Sequence, residues 1–107
     1  MTLGELINEL AKQENPQDLL VMGLGEPMSY RGYYDQIGFP LEPRISIGRM
    51  LENAKSAQGA TFEGYKGGYF EMGLDTDTWV AGYGRCGSEL THGLLDELMK
   101  HKIEVNK

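Results

Sequence analysis

Apolar residues recur at helical spacing in three stretches of the chain, separated by short runs that suit strands. Leu3, Leu6, Ile7 and Leu10 make one stripe, Ile47, Met50, Leu51 and Ala54 a second, and Leu94, Leu95, Leu98 and Met99 a third. Each stripe follows a hydroxyl side chain suited to capping a helix N-terminus. Thr2 and Glu5 form a T-x-x-E capping box, in which each side chain satisfies a backbone N–H of the other. Ser46 precedes the second stripe, and Thr91 the third, where Leu90 and Leu95 are placed as a hydrophobic staple. Asn15-Pro16 ends the first segment, because a residue before proline is pushed out of the α region. Gly59 supplies the stop of the second helix, and residues from His101 to Lys107 read as a polar tail.

Between the helices, Leu19 to Met22 reads as a buried strand, and Gly23 to Pro27 as a turn or loop. Tyr33 to Phe39 alternates, with Tyr33, Asp35, Ile37 and Phe39 on one face, while Pro40 and Pro43 bracket a connection. Thr61 to Met72 predicts a hairpin with Lys66-Gly67 at its turn, and Gly73 to Asp77 a second turn leading to a strand over Thr78 to Tyr83. The order α-β-β-α-β-β-β-α predicts an α+β fold: a mainly antiparallel sheet of four to five strands with three helices. The 107 residues are expected to form a single domain, residues 1–107.

Charge narrows the partners. Ten cations against sixteen acids give a net charge of −6, unlike the basic face that duplex nucleic acid or an anionic membrane demands. A small anion remains open, since two or three local cations and some backbone N–H groups suffice for one. No apolar run approaches the ~20 residues of a membrane helix, and the first residues lack the pattern of a secretory signal. Cys86 is the single cysteine, which fits a reducing compartment, so a cytoplasmic location is expected.

All six tyrosines fall in three short segments, each pairing one cation with glycine. These are Ser29-Tyr30-Arg31-Gly32-Tyr33-Tyr34, Gly64-Tyr65-Lys66-Gly67-Gly68-Tyr69 and Gly82-Tyr83-Gly84-Arg85. Tyrosine offers a flat apolar face and a hydroxyl. Arginine presents a planar fork that matches phosphate oxygens, and glycine admits close approach to backbone N–H groups. Together they suit a ligand with planar bases and phosphates. Tyrosine and glycine are also ordinary in strands and turns, and Tyr69 with Phe70 or Trp79 could pack the sheet. The cations, which have no place in a core, favour the binding reading.

Catalytic readings find less support. Gly23-Leu24-Gly25 lacks the third glycine of a dinucleotide fingerprint, and Gly64 to Gly68 lacks the ending of a phosphate loop. His92 and His101 lie about 13 Å apart along one helix, too far to share a metal. Asp75 and Asp77 lack the glycine and distal glutamate of a calcium loop. Glu26, Asp35, Glu63 and Glu71 are possible acids or bases with no pattern that pairs them. No catalytic residue, metal or cofactor is therefore expected.

The three segments, in order from Ser29 to Gly87, resemble a group of small bacteriophage-encoded proteins. The group reads roughly SYRG-x-Y-x-x-[LI]-x-F, a helix, a GYKGG hairpin and YG-x-x-G. The resemblance implies a phage accessory protein in the host cytoplasm. There it would counter bacterial immunity by sequestering a nucleotide signal, of the cyclic dinucleotide or cyclic ADP-ribose type, in a pocket often built between subunits. Under that reading Tyr30, Tyr33, Tyr34 and Tyr65 stack on bases. Arg31, Lys66 and Arg85 pair with phosphate, Gly67 and Gly68 donate N–H groups, and Gly32 and Tyr83 complete the surface. Two alternatives stay open: a protein-binding module that inhibits a host enzyme, and a small nucleotide hydrolase or transferase.

Overall fold

The computed structural model describes residues 1–30, 36–63, 66–81 and 87–103. The fold is α+β, with elements α1 (Leu3–Ala11), β1 (Leu19–Leu24), β2 (Met28–Ser29), β3 (Gln36–Ser46), α2 (Ile47–Ala57), β4 (Thr61–Glu63), β5 (Tyr69–Glu71), β6 (Asp77–Ala81), β7 (Gly87–Glu89) and α3 (His92–Lys100). The main sheet runs β1-β3-β6-β7, and β2 pairs with the stretch of β3 not used by β1. The β4–β5 hairpin forms its own two-stranded sheet instead of joining the main one. Four of the five strand pairings are antiparallel; β3 and β6 run parallel, with Gln36 opposite Asp77 and Pro40 opposite Ala81. That parallel pair requires a long crossover, which α2 and the hairpin supply.

The helices start where their caps place them. Thr2 Oγ1 accepts from Glu5 N at 3.2 Å, and Glu5 Oε1 accepts from Thr2 N at 2.8 Å. Ser46 caps Arg49 N and Thr91 caps Leu94 N, each at 3.1 Å. The hydrogen bond from Thr2 N–H holds the Glu5 carboxyl below its ordinary value of 4.5. A carboxyl with a depressed folded pKa contributes stability that is present above its unfolded pKa and lost as pH falls through the folded one. Thr2→Ala is expected to cost about 1 kcal/mol at pH 7. The pH dependence belongs to Glu5, because alanine at position 2 would keep the backbone N–H: Glu5→Ala should lower stability at pH 7, and its gap from the parent should close as pH falls through the depressed Glu5 pKa. Urea unfolding of the parent and Glu5→Ala at pH 7 and pH 3 measures this; an equal gap at the two pH values would remove the Glu5 charge from the explanation.

One face of the sheet and the apolar stripes of the helices share a core. Ile37 and Phe39 of β3, Val80 of β6 and Leu20 and Leu24 of β1 pack with Leu3, Leu6 and Leu10 of α1, Ile47, Met50, Ala54 and Ala57 of α2, and Leu95 of α3. Leu90, preceding α3, is fully buried beside them, as a staple to Leu95 requires. The first helix ends at Ala11, short of Asn15-Pro16, and Lys12 is its C-cap.

Other expectations needed revising. The Leu19 strand extends through Gly23 and Leu24, and Val21 and Met22 are exposed instead of buried. Pro40 and Pro43 do not bracket a connection, because β3 runs through both. Proline removes a donor but keeps its carbonyl and an extended φ, and Pro40 O accepts from Gly25 N at 2.8 Å. The polar tail is anchored at its start: Val21 N donates to His101 O, and Ile103 N to Leu19 O, so residues 101–103 cover part of the outer edge of β1.

Candidate functional site

The three Tyr/Gly segments fall at connections between strands. The first lies at the β2–β3 connection and the third at the β6–β7 connection. Because β3 and β6 are parallel, the chain enters β3 and leaves β6 at opposite ends of the pair. Gln36 and Pro40 are four residues apart, about 13 Å at ~3.3 Å per residue. The second segment sits on the β4–β5 hairpin, which lies against β2.

Tyr30, from the first segment, crosses the sheet face opposite the core. Its ring stacks on Trp79 with centroids 4.7 Å apart and planes 10° from parallel. It passes over Gly38, and its hydroxyl end reaches Gly87. A Cβ on Gly87 would lie 2.8 Å from Cε1 and Cζ of Tyr30 and would also strike the hydroxyl. The ring that was expected to meet a base is therefore given to Trp79, and Tyr30 is 6% exposed. Two polar atoms on this face, Trp79 Nε1 and Gln36 Oε1, are buried with no hydrogen-bond partner among the described residues.

Lys66, Gly67 and Gly68 form an exposed turn in which Gly67 takes φ +84°, a conformation that suits glycine. Tyr69 follows at 72% exposure, while Phe62 and Phe70 pair across the hairpin, 6.4 Å between ring centroids. Arg31, Gly32, Tyr33, Tyr34, Tyr65, Tyr83, Arg85 and Cys86 lie outside the described residues.

A cavity of about 470 Å³ opens elsewhere, between the β1–β2 connection, α2 and β4. Its walls are Glu26, Pro27, Arg49, Glu52, Asn53, Ser56 and Phe62. The Arg49 guanidinium lies 3.9 Å from Glu26 and 3.8 Å from Glu52. Asn53 is buried, and its Nδ2 donates to Leu24 O at 3.3 Å, tying this face of α2 to the end of β1. Ser56 Oγ donates to Asn53 O at 2.7 Å. Of these residues the sequence singles out Glu26 alone, as an acid or base. A signal for the others was present: Arg49, Glu52, Asn53 and Ser56 fall at i, i+3, i+4 and i+7, a polar stripe beside the apolar one.

Along the chain, Pro27 stands two residues before Ser29 and Phe62 two before Gly64, just ahead of two of the three segments. Neither histidine lines the cavity. His101 Nε2 pairs with Glu97 Oε1 at 3.1 Å, a bond that lowers the Glu97 pKa. Among the described residues no three His, Cys, Asp or Glu side chains gather as metal ligands, and no helix is long and apolar enough to cross a membrane. Compared with protein-family models, curated proteins and solved structures, the chain matches none of them.

Proposed function

We propose that this protein binds a nucleotide-derived ligand and acts by holding it unaltered. The observation that carries this reading is the cavity itself, whose wall residues Pro27 and Phe62 each stand two residues before a Tyr/Gly segment along the chain. Its volume falls within the ~300–1,000 Å³ of small-molecule sites. Its wall offers an aromatic side chain, Phe62, and a guanidinium, Arg49. Stacking on an aromatic ring and hydrogen bonding to a planar donor fork are two interactions a nucleobase takes. With the resemblance to phage proteins, the ligand would be an immune signal such as a cyclic dinucleotide or a cyclic ADP-ribose derivative, and the protein its sponge.

A panel of mononucleotides, cyclic dinucleotides and NAD derivatives tests the reading by thermal unfolding. At least one member, supplied at ~100 times its dissociation constant, should stabilise the protein by about 2.7 kcal/mol. Heat-denaturing the complex should return that ligand chemically intact; a converted product would make the protein a hydrolase or transferase. Absence of any shift with folded protein would overturn the proposal.

A second reading, docking on another protein, rests on exposed Tyr69 and Met28, carried by the hairpin and by the strand it lies against. Tyrosine is a common interface anchor. Under this reading a pull-down should return one stoichiometric protein partner, lost with Tyr69→Ala.

A further inference from the structure

The hydrogen-bonding groups of the cavity are not evenly matched. Asn53 spends an N–H on Leu24 O, and Ser56 spends its O–H on Asn53 O. What these two side chains keep toward a ligand is chiefly acceptor capacity, joined by the carboxylates of Glu26 and Glu52. Among the described residues of the wall, Arg49 is the one strong donor group. At 3.8–3.9 Å its contacts with the two glutamates are ion pairs and not hydrogen bonds, so its N–H groups and the carboxylate oxygens still have bonds to make. The wall therefore presents acceptor, donor, acceptor in sequence: Glu26, Arg49, Glu52.

We infer that the cavity selects a guanine base, an inference that rests on the nucleotide reading and names its ligand class. Guanine carries O6 and N7 acceptors on one edge, the pair an arginine fork reads bidentately. Its adjoining edge carries the N1–H and N2–H donors, which match the two oxygens of a carboxylate. Arg49 takes the O6/N7 edge, one of the flanking glutamates takes the N1/N2 edge, and Phe62 supplies the apolar wall for the ring. Adenine is the wrong complement. It lacks the O6 acceptor, and its unprotonated N1 would face a carboxylate, lone pair against lone pair. The placement of Asn53, anchored to β1 and buried at the back of the cavity, keeps α2 and its Arg49/Glu52 row fixed relative to Glu26.

Isothermal titration of the full chain with the 5′-monophosphates of guanosine, inosine and adenosine tests the inference. The guanosine nucleotide should bind at least ~10-fold more tightly than the adenosine one, a bidentate pair being enough for that discrimination. The inosine nucleotide, which keeps N1–H and O6 but lacks the 2-amino group, should fall between them. Glu26→Gln and Glu52→Gln alter exposed carboxylates and preserve shape, and thermal unfolding checks that both variants fold. One of the two should weaken guanosine nucleotide binding about 10-fold and leave the adenosine nucleotide unchanged. Equal binding of the purines, or guanosine binding untouched in both variants, would overturn guanine selection while leaving the nucleotide reading intact. If none of these nucleotides nor any member of the wider panel binds, both fall.

Discussion

Replacing Phe39 by alanine is expected to remove about 3–5 kcal/mol of stability, the cost of deleting a fully buried aromatic side chain. Phe39 is wholly inaccessible and lies opposite Val80 on the parallel neighbour strand, among residues from every helix. For a domain whose total stability is of order 5–15 kcal/mol, such a loss is a large fraction. Urea unfolding should show a lower midpoint with little change in slope. Tyr69→Ala provides the contrast, since an aromatic residue that is 72% exposed should change stability by no more than about 0.5 kcal/mol. Similar losses for the two variants would contradict the assignment of β3, rather than the hairpin, to the core.

The helices and the candidate site differ in how far the sequence discloses them. Thr2, Ser46 and Thr91 each precede an apolar stripe of helical period, and all three act as caps, because capping and periodicity depend on residues within one turn. The hairpin was equally local, with glycine at the position of positive φ. Pro40 and Pro43 argue against an interior strand, so the sequence alone suggests a shorter β3 than the one observed. Its partners overrode that preference: Pro40 still serves as acceptor, and irregular backbone at Arg44, with φ 57°, accommodates the stretch after Pro43. β2 and β7, two and three residues long, carry no alternation to detect.

The cavity shows the same limit in chemical form. The polar stripe of α2 is legible as spacing, but its function as a wall depends on Phe62 arriving from β4 and Glu26 from the β1–β2 connection. Tyr30 illustrates a different ambiguity. A tyrosine beside arginine and glycine suits a ligand platform and a sheet-packing side chain equally well, and only the register that puts Gly38 opposite Trp79 shows where its ring goes.

That placement makes Gly87→Ala the second substitution with a large expected effect. An added Cβ meets the ring and hydroxyl of Tyr30, which is itself held against Trp79 and cannot yield without breaking the stack. Overpacking of this kind costs roughly 1–3 kcal/mol. Trp79 is the chain's single tryptophan, so its fluorescence reports the stack directly. The variant should combine lowered stability with altered emission, as Tyr30 moves off the indole. A double-mutant cycle separates this from a backbone requirement at Gly87. In a Tyr30→Ala background the alanine at 87 has no ring to strike, so its additional cost should fall to a few tenths of a kcal/mol. If Gly87→Ala costs as much with Tyr30 removed as with it present, the glycine serves the strand alone. In that case the tie between the first Tyr/Gly segment and Gly87, two residues beyond the third, is broken.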